Sequence, residues 1–130
     1  MDKDFLDKVK EEVLSLKDLE KNWDGDGADT INLSVIDGMV YFVDEVLWAM
    51  DDIPVPYIIP GGCGCQFEWH LGKKSLEIEF EDEKTIHYLK WDPGYGVEEE
   101  DIFSTDDDNW VNRCMGLLLW FLLPSQENIN

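Results

Sequence analysis

Two groups of residues have types and spacings that resemble metal-binding motifs. Cys63, Cys65, His70 and Cys114 offer the sulfur and nitrogen ligands that zinc prefers, but C-x-C is not the C-x2-C spacing of a zinc knuckle. We interpret Cys65 and Cys114 as small core residues and Cys63 as a thiol in a glycine-flanked turn. The sequence therefore assigns no metal to the cysteines.

The second group, Asp24-x-Asp26-x-x-Asp29, begins like a calcium-binding loop, in which alternating carboxylates converge on one cation. The match ends there, because the fifth position is Ala28 and the twelfth is Val35 in place of glutamate. A turn between two helices, with its glycines at positive φ, explains the same residues. We predict a structured turn and no metal ligand.

A hydrolytic site is the third chemistry to consider. Ser104, Asp106 and a histidine are the side chains of a catalytic triad, but no nucleophile-elbow sequence surrounds the serine. The sequence also lacks a glycine-rich phosphate-binding motif. We predict no catalytic residue, no cofactor and no enzymatic activity, and keep a small enzyme or metal-binding protein as the third hypothesis.

The charge of the chain is its strongest chemical feature. It has 130 residues, with 30 aspartates and glutamates against 10 lysines and arginines, which gives a formal net charge of -20. Repulsion opposes direct binding to nucleic acid and to anionic membranes, so a basic protein is the favoured partner. A nucleic-acid-handling complex or a toxin would have such a surface.

Two blocks hold most of this charge without any lysine or arginine, namely residues 22–72 and 92–108. On the second predicted helix, aromatic and acidic residues share a stripe away from the apolar face, a mixture typical of protein-binding surfaces. The alternative is that the charge only keeps the protein soluble. The predicted partner-binding residues are Tyr41, Asp44, Glu45, Trp48, Asp51, Asp52, Glu98, Glu99, Glu100 and Asp101.

Carboxylates at alternate strand positions lie roughly 6.5–7 Å apart, a spacing comparable to that of backbone phosphates. The residues that meet this spacing are Glu68, Glu77, Glu79 and Glu81. Four lysines stand on the same predicted hairpins, namely Lys73, Lys74, Lys84 and Lys90. We therefore expect the helix and the acidic loop to be the better contact surface.

Hydrophobic periodicity predicts an α+β fold in the order α-α-β-β-β-β-α. Spacing of three and four predicts helices over residues 4–20 and about 35–50, and alternation predicts strands at 65–71, 76–81 and 85–91. Residues 57–59, which lie among Pro54, Pro56 and Pro60, suit an extended segment at the edge of the sheet. The inward face of the segment 85–91 is ambiguous. Residues 92–108 are expected to be a long acidic loop, so the sheet has three to four strands, followed by one apolar C-terminal helix.

Length and cysteine use predict one cytoplasmic domain, residues 1–130. Three cysteines cannot all pair within a chain, and the N-terminal residues lack the apolar stretch of a signal peptide, which indicates a reducing cytoplasm. The apolar segment 115–123 is too short to cross a membrane. It belongs to the core or to a homodimer interface.

Residues 22–81 contain N-W-D-G-D-G-A, followed by F-E-W and L-E-I-E. This pattern resembles an uncharacterised family of short bacterial and phage proteins, in which N-W-D-x-x-G-A precedes L-E-W and a hydrophobic-acidic strand. The resemblance implies a small prokaryotic or phage protein and carries no reaction. By charge and size, the protein also resembles inhibitors of defence nucleases such as anti-CRISPR proteins.

The first functional hypothesis is therefore a non-enzymatic, acidic inhibitor that occupies a basic, nucleic-acid-binding surface of another protein. The alternative is an immunity protein or antitoxin that neutralises one dedicated toxin. Both share the acidic surface and differ in the partner.

Overall fold

The computed structural model describes residues 4–61, 64–82 and 84–124. Helices cover one face of a five-stranded antiparallel sheet, so the predicted α+β class is confirmed. The elements in chain order are α1 (Asp4–Ser15), α2 (Leu33–Phe42), β1 (Tyr57–Gly61), β2 (Gly64–Leu71), β3 (Lys74–Phe80), β4 (Thr85–Asp92), β5 (Val97–Ser104) and α3 (Trp110–Leu122).

The first two helices follow the apolar spacing in the sequence. In α1, Leu6, Val9 and Val13 are buried, and a 3-10 turn continues the helix to Asp18. Helix α2 begins at Leu33, two residues earlier than expected, because the Asn32 side chain accepts a hydrogen bond from the exposed Ser34 N–H group. A π-helical turn over Val43–Leu47 then extends α2.

The connection between α1 and α2 is the structured turn that the sequence predicts. Asp24 Oδ1 accepts hydrogen bonds from the backbone N–H groups of Asp26 and Ala28, at 2.8 and 3.1 Å. These bonds lower the pKa of the Asp24 carboxyl group. Gly25 and Gly27 adopt positive φ, as the tight backbone requires. The Asp24 carboxylate is thus engaged with the turn itself.

The sheet is a meander in which each strand pairs with the next. Ile78 of β3 lies opposite Phe67 of β2 and Tyr88 of β4, so these three side chains point toward the helices. This register resolves the ambiguous strand: Ile86 and Tyr88 face the helices, and the alternate residues of β4 face outward. The outward apolar positions of β4 are Leu89 and Trp91.

Aromatic rings hold the helix layer on the sheet. Phe42 of α2 stacks on Phe67 with ring centroids 4.9 Å apart, and it meets Phe80 edge-on at 5.9 Å. All three side chains are buried. Each pair of this kind contributes about 0.5–1.5 kcal/mol beyond the burial of its area, so this cluster fixes the register of the central strands.

The prediction of an acidic loop at residues 92–108 is wrong for Val97–Ser104. This segment forms β5 and pairs with β4 along its whole length. The sheet consequently has five strands rather than three or four. Sequence alternation is missing because β5 is an edge strand with acidic residues on both faces. Such charges also discourage pairing of its open edge with another chain.

The C-terminal helix α3 packs on the sheet and on the turn after α2, with Leu117, Leu118 and Phe121 buried. Leu119 and Leu123 stay exposed, and the homodimer expected from this helix stays a prediction. No described helix has the length and apolar character needed to cross a membrane.

Lys74 ties the end of α3 to the sheet. Its Nζ donates hydrogen bonds to the backbone oxygens of Trp120 and Leu123, at 2.6 and 2.8 Å, and lies 4.6 Å from the centroid of the Trp120 ring. These carbonyls belong to the helix end, where no intrahelical donor remains. The lysine charge is therefore on the helical side of the sheet, and only 5% of the residue is exposed.

We expect Lys74→Met to lower the free energy of unfolding by about 1.5–3 kcal/mol, because charged hydrogen bonds to the end of α3 are lost. Lys73→Met is the matched control, since Lys73 is an exposed neighbour, and its change should stay within about 0.5 kcal/mol. Urea unfolding of both variants measures the difference. Equal stabilities would contradict the capping role of Lys74.

Candidate acidic binding surface

The face of the sheet opposite the helices, here called the outer face, presents a concentration of carboxylates. Side chains at directly opposed positions of neighbouring strands lie on the same face, so the strand register identifies its members. Outward-facing glutamates come from β2, β3 with the residue that follows it, and β5. They are Glu68, Glu77, Glu79, Glu81, Glu98 and Glu100.

No lysine or arginine occupies an outward strand position in the described part of the sheet. Lys74 and Lys90 do lie on the predicted hairpins, but both side chains approach the Trp120 ring on the helical side. Lys84, in the turn between β3 and β4, pairs with Asp106 at 3.3 Å. Lys74, Lys84 and Lys90 therefore do not neutralise the outer face.

Two of these glutamates oppose each other directly. Glu68 of β2 and Glu77 of β3 are cross-strand partners, an arrangement that destabilises a sheet when both side chains are charged. The Gln66 side-chain amide donates to both carboxylates, at 2.8 Å to Glu68 and 3.1 Å to Glu77. The neutral amide of Gln66 therefore bridges the two carboxylates, and the His70 ring contacts the other oxygen of Glu68.

A second group on the outer face surrounds His87 of β4. Its Nδ1 lies 3.7 Å from Glu79 Oε1, and its Nε2 lies 3.4 Å from Glu100 Oε2. Burial raises the pKa of the Glu79 carboxyl group, and the neighbouring Glu81 raises it further. The histidine therefore stands between the carboxylates of β3 and those of β5.

Apolar side chains divide the carboxylates of the outer face. Leu89 and Trp91 of β4 lie between β3 and β5, and 45% of Trp91 is exposed. Tyr57 of β1 and Ile102 of β5 are 64% and 55% exposed. Exposed aromatic residues among charged ones are characteristic of the centres of protein-binding surfaces.

Strand β5 divides the acidic run that was predicted as one site. Glu98 and Glu100 face outward, whereas Glu99 faces the helical side, where it accepts a hydrogen bond from the Tyr88 hydroxyl at 3.0 Å. Lys90 Nζ lies 3.5 Å from the same carboxylate. Burial, followed by the Glu99 bond, raises the pKa of Tyr88 to about 12. Asp101 occupies the helical-side position opposite Tyr88.

The predicted residues in and after the second helix lie in the helix layer, on the far side of the sheet from the outer face. Asp44 pairs with Lys10 of α1 at 2.7 Å, so its charge is neutralised locally. Tyr41 packs its ring against Trp110 of α3 at 5.6 Å. The others are exposed, namely Glu45, Trp48, Asp51 and Asp52. The ten predicted residues thus do not form one surface.

Sequence reasoning did not include His87 among the site residues and gave the strand glutamates too little weight. The alternation that places Glu77 and Glu79 on one face was visible, but the lysines on the same hairpins obscured it. The signal that separates them is parity: Lys74 is an odd number of residues from Glu77 and Glu79, so it must face the other side. The outward placement of Glu98 and Glu100 has no comparable signal, because four acidic residues are consecutive.

The two described cysteines are core residues. Cys65 faces the helical side of β2, whereas His70 faces outward, so the two cannot share a zinc ion. Cys65 and Cys114 are buried and unpaired, and burial raises the pKa of each thiol to about 12. Cys63 lies outside the described residues.

Comparisons with protein-family models, with curated proteins and with solved structures find no match to this chain. The resemblance of residues 22–81 to the bacterial and phage family stays a prediction. The geometry of the outer face is therefore the basis for inferring function.

Because thiolates rather than thiols react with disulfide reagents, we expect Cys65 and Cys114 to be inert in the folded protein at pH 8. In a Cys63→Ser variant, Ellman's reagent should titrate no thiol in native buffer and both thiols in guanidinium chloride. Rapid reaction of either cysteine without denaturant would contradict its placement in the core.

Proposed function

We propose that the protein is a non-enzymatic, acidic inhibitor that binds a basic, nucleic-acid-binding surface of another protein through the outer face of its sheet. Phage anti-defence proteins of the anti-CRISPR type are the class that this function resembles. The single observation that carries the proposal is the outer face itself: six glutamates with no lysine or arginine at an outward strand position of the described sheet.

The cost of this arrangement supports a binding role. Solubility needs charges that are dispersed and mixed in sign, whereas the outer face opposes Glu68 to Glu77 across a strand pair. Like charges held together reduce stability, and protein surfaces that bind a ligand commonly accept such a loss. A cationic side chain placed between the two carboxylates would remove the repulsion and gain charge-assisted hydrogen bonds.

The spacing of the carboxylates fits a surface that ordinarily binds phosphates. Glu77 and Glu79 of β3, with Glu81 directly after it, recur at roughly 6.5–7 Å, and Glu98 and Glu100 form a second row on β5. Two strand spacings separate the rows, which is roughly 9–10 Å. A protein groove lined with arginine and lysine for a nucleic-acid backbone would meet negative charge in two rows.

The apolar side chains between the two rows of carboxylates provide a source of binding affinity that charge alone does not. Electrostatic attraction mainly speeds association and selects a partner of opposite charge, whereas desolvated aromatic residues provide much of the affinity. Trp91 and Leu89 lie between the rows of carboxylates. The outer face therefore has both parts of a specific interface.

Two variants that remove equal charge from opposite sides of the molecule test this proposal. The outer-face variant carries Gln at Glu77, Glu98 and Glu100, and the helix-layer variant carries neutral amides at Glu45, Asp51 and Asp52. Each is immobilised and exposed to a nuclease-treated bacterial lysate. Wild type and the helix-layer variant should recover the same nucleic-acid-binding protein, and the outer-face variant at least tenfold less.

Duplex DNA or RNA added as a competitor should displace the captured protein, and higher salt should weaken its recovery because exposed charges are screened. Equal losses by the two variants would show that net charge, rather than the outer face, determines binding. Recovery of one dedicated toxin, unaffected by nucleic acid, would instead favour the immunity-protein hypothesis.

A further inference from the structure

Three metal-ligating side chains converge on the outer face at the end of β3. Glu79 lies directly opposite His87 of β4, and Glu81 follows two residues after Glu79 on the same side. One carboxylate oxygen of each glutamate and one ring nitrogen of His87 lie within 4.8 Å of one another. No metal-ligand spacing in the sequence indicates this group, because the register between β3 and β4 brings the donors together.

Rigid backbone holds these donors. Glu79 and His87 belong to the central strand pair, whose other faces carry the buried residues Phe80 and Ile86. The Glu81 N–H donates to the Thr85 carbonyl oxygen at 3.0 Å, so the hairpin stays closed beyond the last ladder pair. Sites built on strands position their ligands more accurately than sites on loops.

A fourth side chain orients the histidine. With Nδ1 directed toward Glu79, the opposite ring nitrogen of His87 lies 3.4 Å from a carboxylate oxygen of Glu100. Metal-ligating histidines in proteins almost always direct their second ring nitrogen at such an acceptor, which fixes the tautomer and increases the basicity of the ligand. Glu100 comes from a third strand, independently of the three donors.

The negative charge around the donors also favours the binding of a cation. No lysine or arginine among the described residues forms an ion pair with Glu79 or Glu81. The donor set is one imidazole nitrogen with two carboxylate oxygens, which suits zinc and similar transition metals, whereas magnesium and calcium prefer oxygen alone.

We propose that Glu79, Glu81 and His87 bind one zinc ion, with Glu100 as the residue that positions His87. Zinc bonds of about 2.0–2.2 Å place tetrahedral ligand atoms about 3.4 Å apart. Rotation of the two glutamate side chains closes the remaining distance. Three protein ligands leave the fourth coordination position to water or to a side chain of a bound protein.

Calorimetric titration of metal-free protein with zinc chloride tests the site, with Cys63→Ser as the background to exclude thiol binding. One zinc per chain is expected, with a dissociation constant weakened at least tenfold by His87→Ala and by Glu81→Gln. Excess magnesium should not compete. His70→Ala is the matched control, because His70 contacts Glu68 on the same face without two further ligands, and it should bind zinc like the background protein.

A second readout is the nitrogen NMR spectrum of the imidazole rings. One equivalent of zinc should shift a ring nitrogen of His87 and leave His70 unchanged. The proposal is overturned if the background protein fails to bind zinc at tens of micromolar, or if His70→Ala weakens binding as much as His87→Ala. Neither measurement involves a protein partner, so failure of the zinc site leaves the proposed inhibitor function standing.

Discussion

Successive side chains of a strand point to opposite faces of the sheet, and in this protein that constraint separates apolar from acidic residues. Phe67, Ile78 and Ile86 point toward the helices, and the residues next to each of them along its strand point outward. The same parity carries Lys74 and Lys90 to the helical side, where they lie beside Trp120. A chain with a net charge of -20 thereby keeps its strand lysines away from the outer glutamates.

The packing of the core determines which residues lie on the outer face. A slip of β2 by one residue along β3 would turn Phe67 to the outer face and Glu68 toward the core, at a cost that no surface interaction offsets. The pairing of Glu68 with Glu77 is therefore imposed by the packing of Phe42 on Phe67. The Gln66 amide donates to both of these carboxylates and the His70 ring contacts Glu68, which moderates the resulting repulsion.

The sequence predicted the elements with a clear period and missed those without one. Helices α1 and α2 and strands β2 and β3 follow their spacing closely. Strand β4 was ambiguous because Leu89 and Trp91 are apolar on the outer side, and β5 was read as a loop because its four acidic residues do not alternate. Parity indicates the face on which Lys74 lies, but its partners at Trp120 and Leu123 are 46 and 49 residues away and leave no local signal in the sequence.

The most direct test of the central claim is to locate the carboxylates that touch the partner. Zero-length carbodiimide cross-linking joins a carboxylate to a lysine only where the two are in contact, and mass spectrometry then identifies the pair. With the basic protein that the chain captures, our account predicts cross-links from Glu77, Glu98 and Glu100. Cross-links confined to Asp44, Glu45, Asp51 and Asp52 would contradict it and would place the interface on the helix layer.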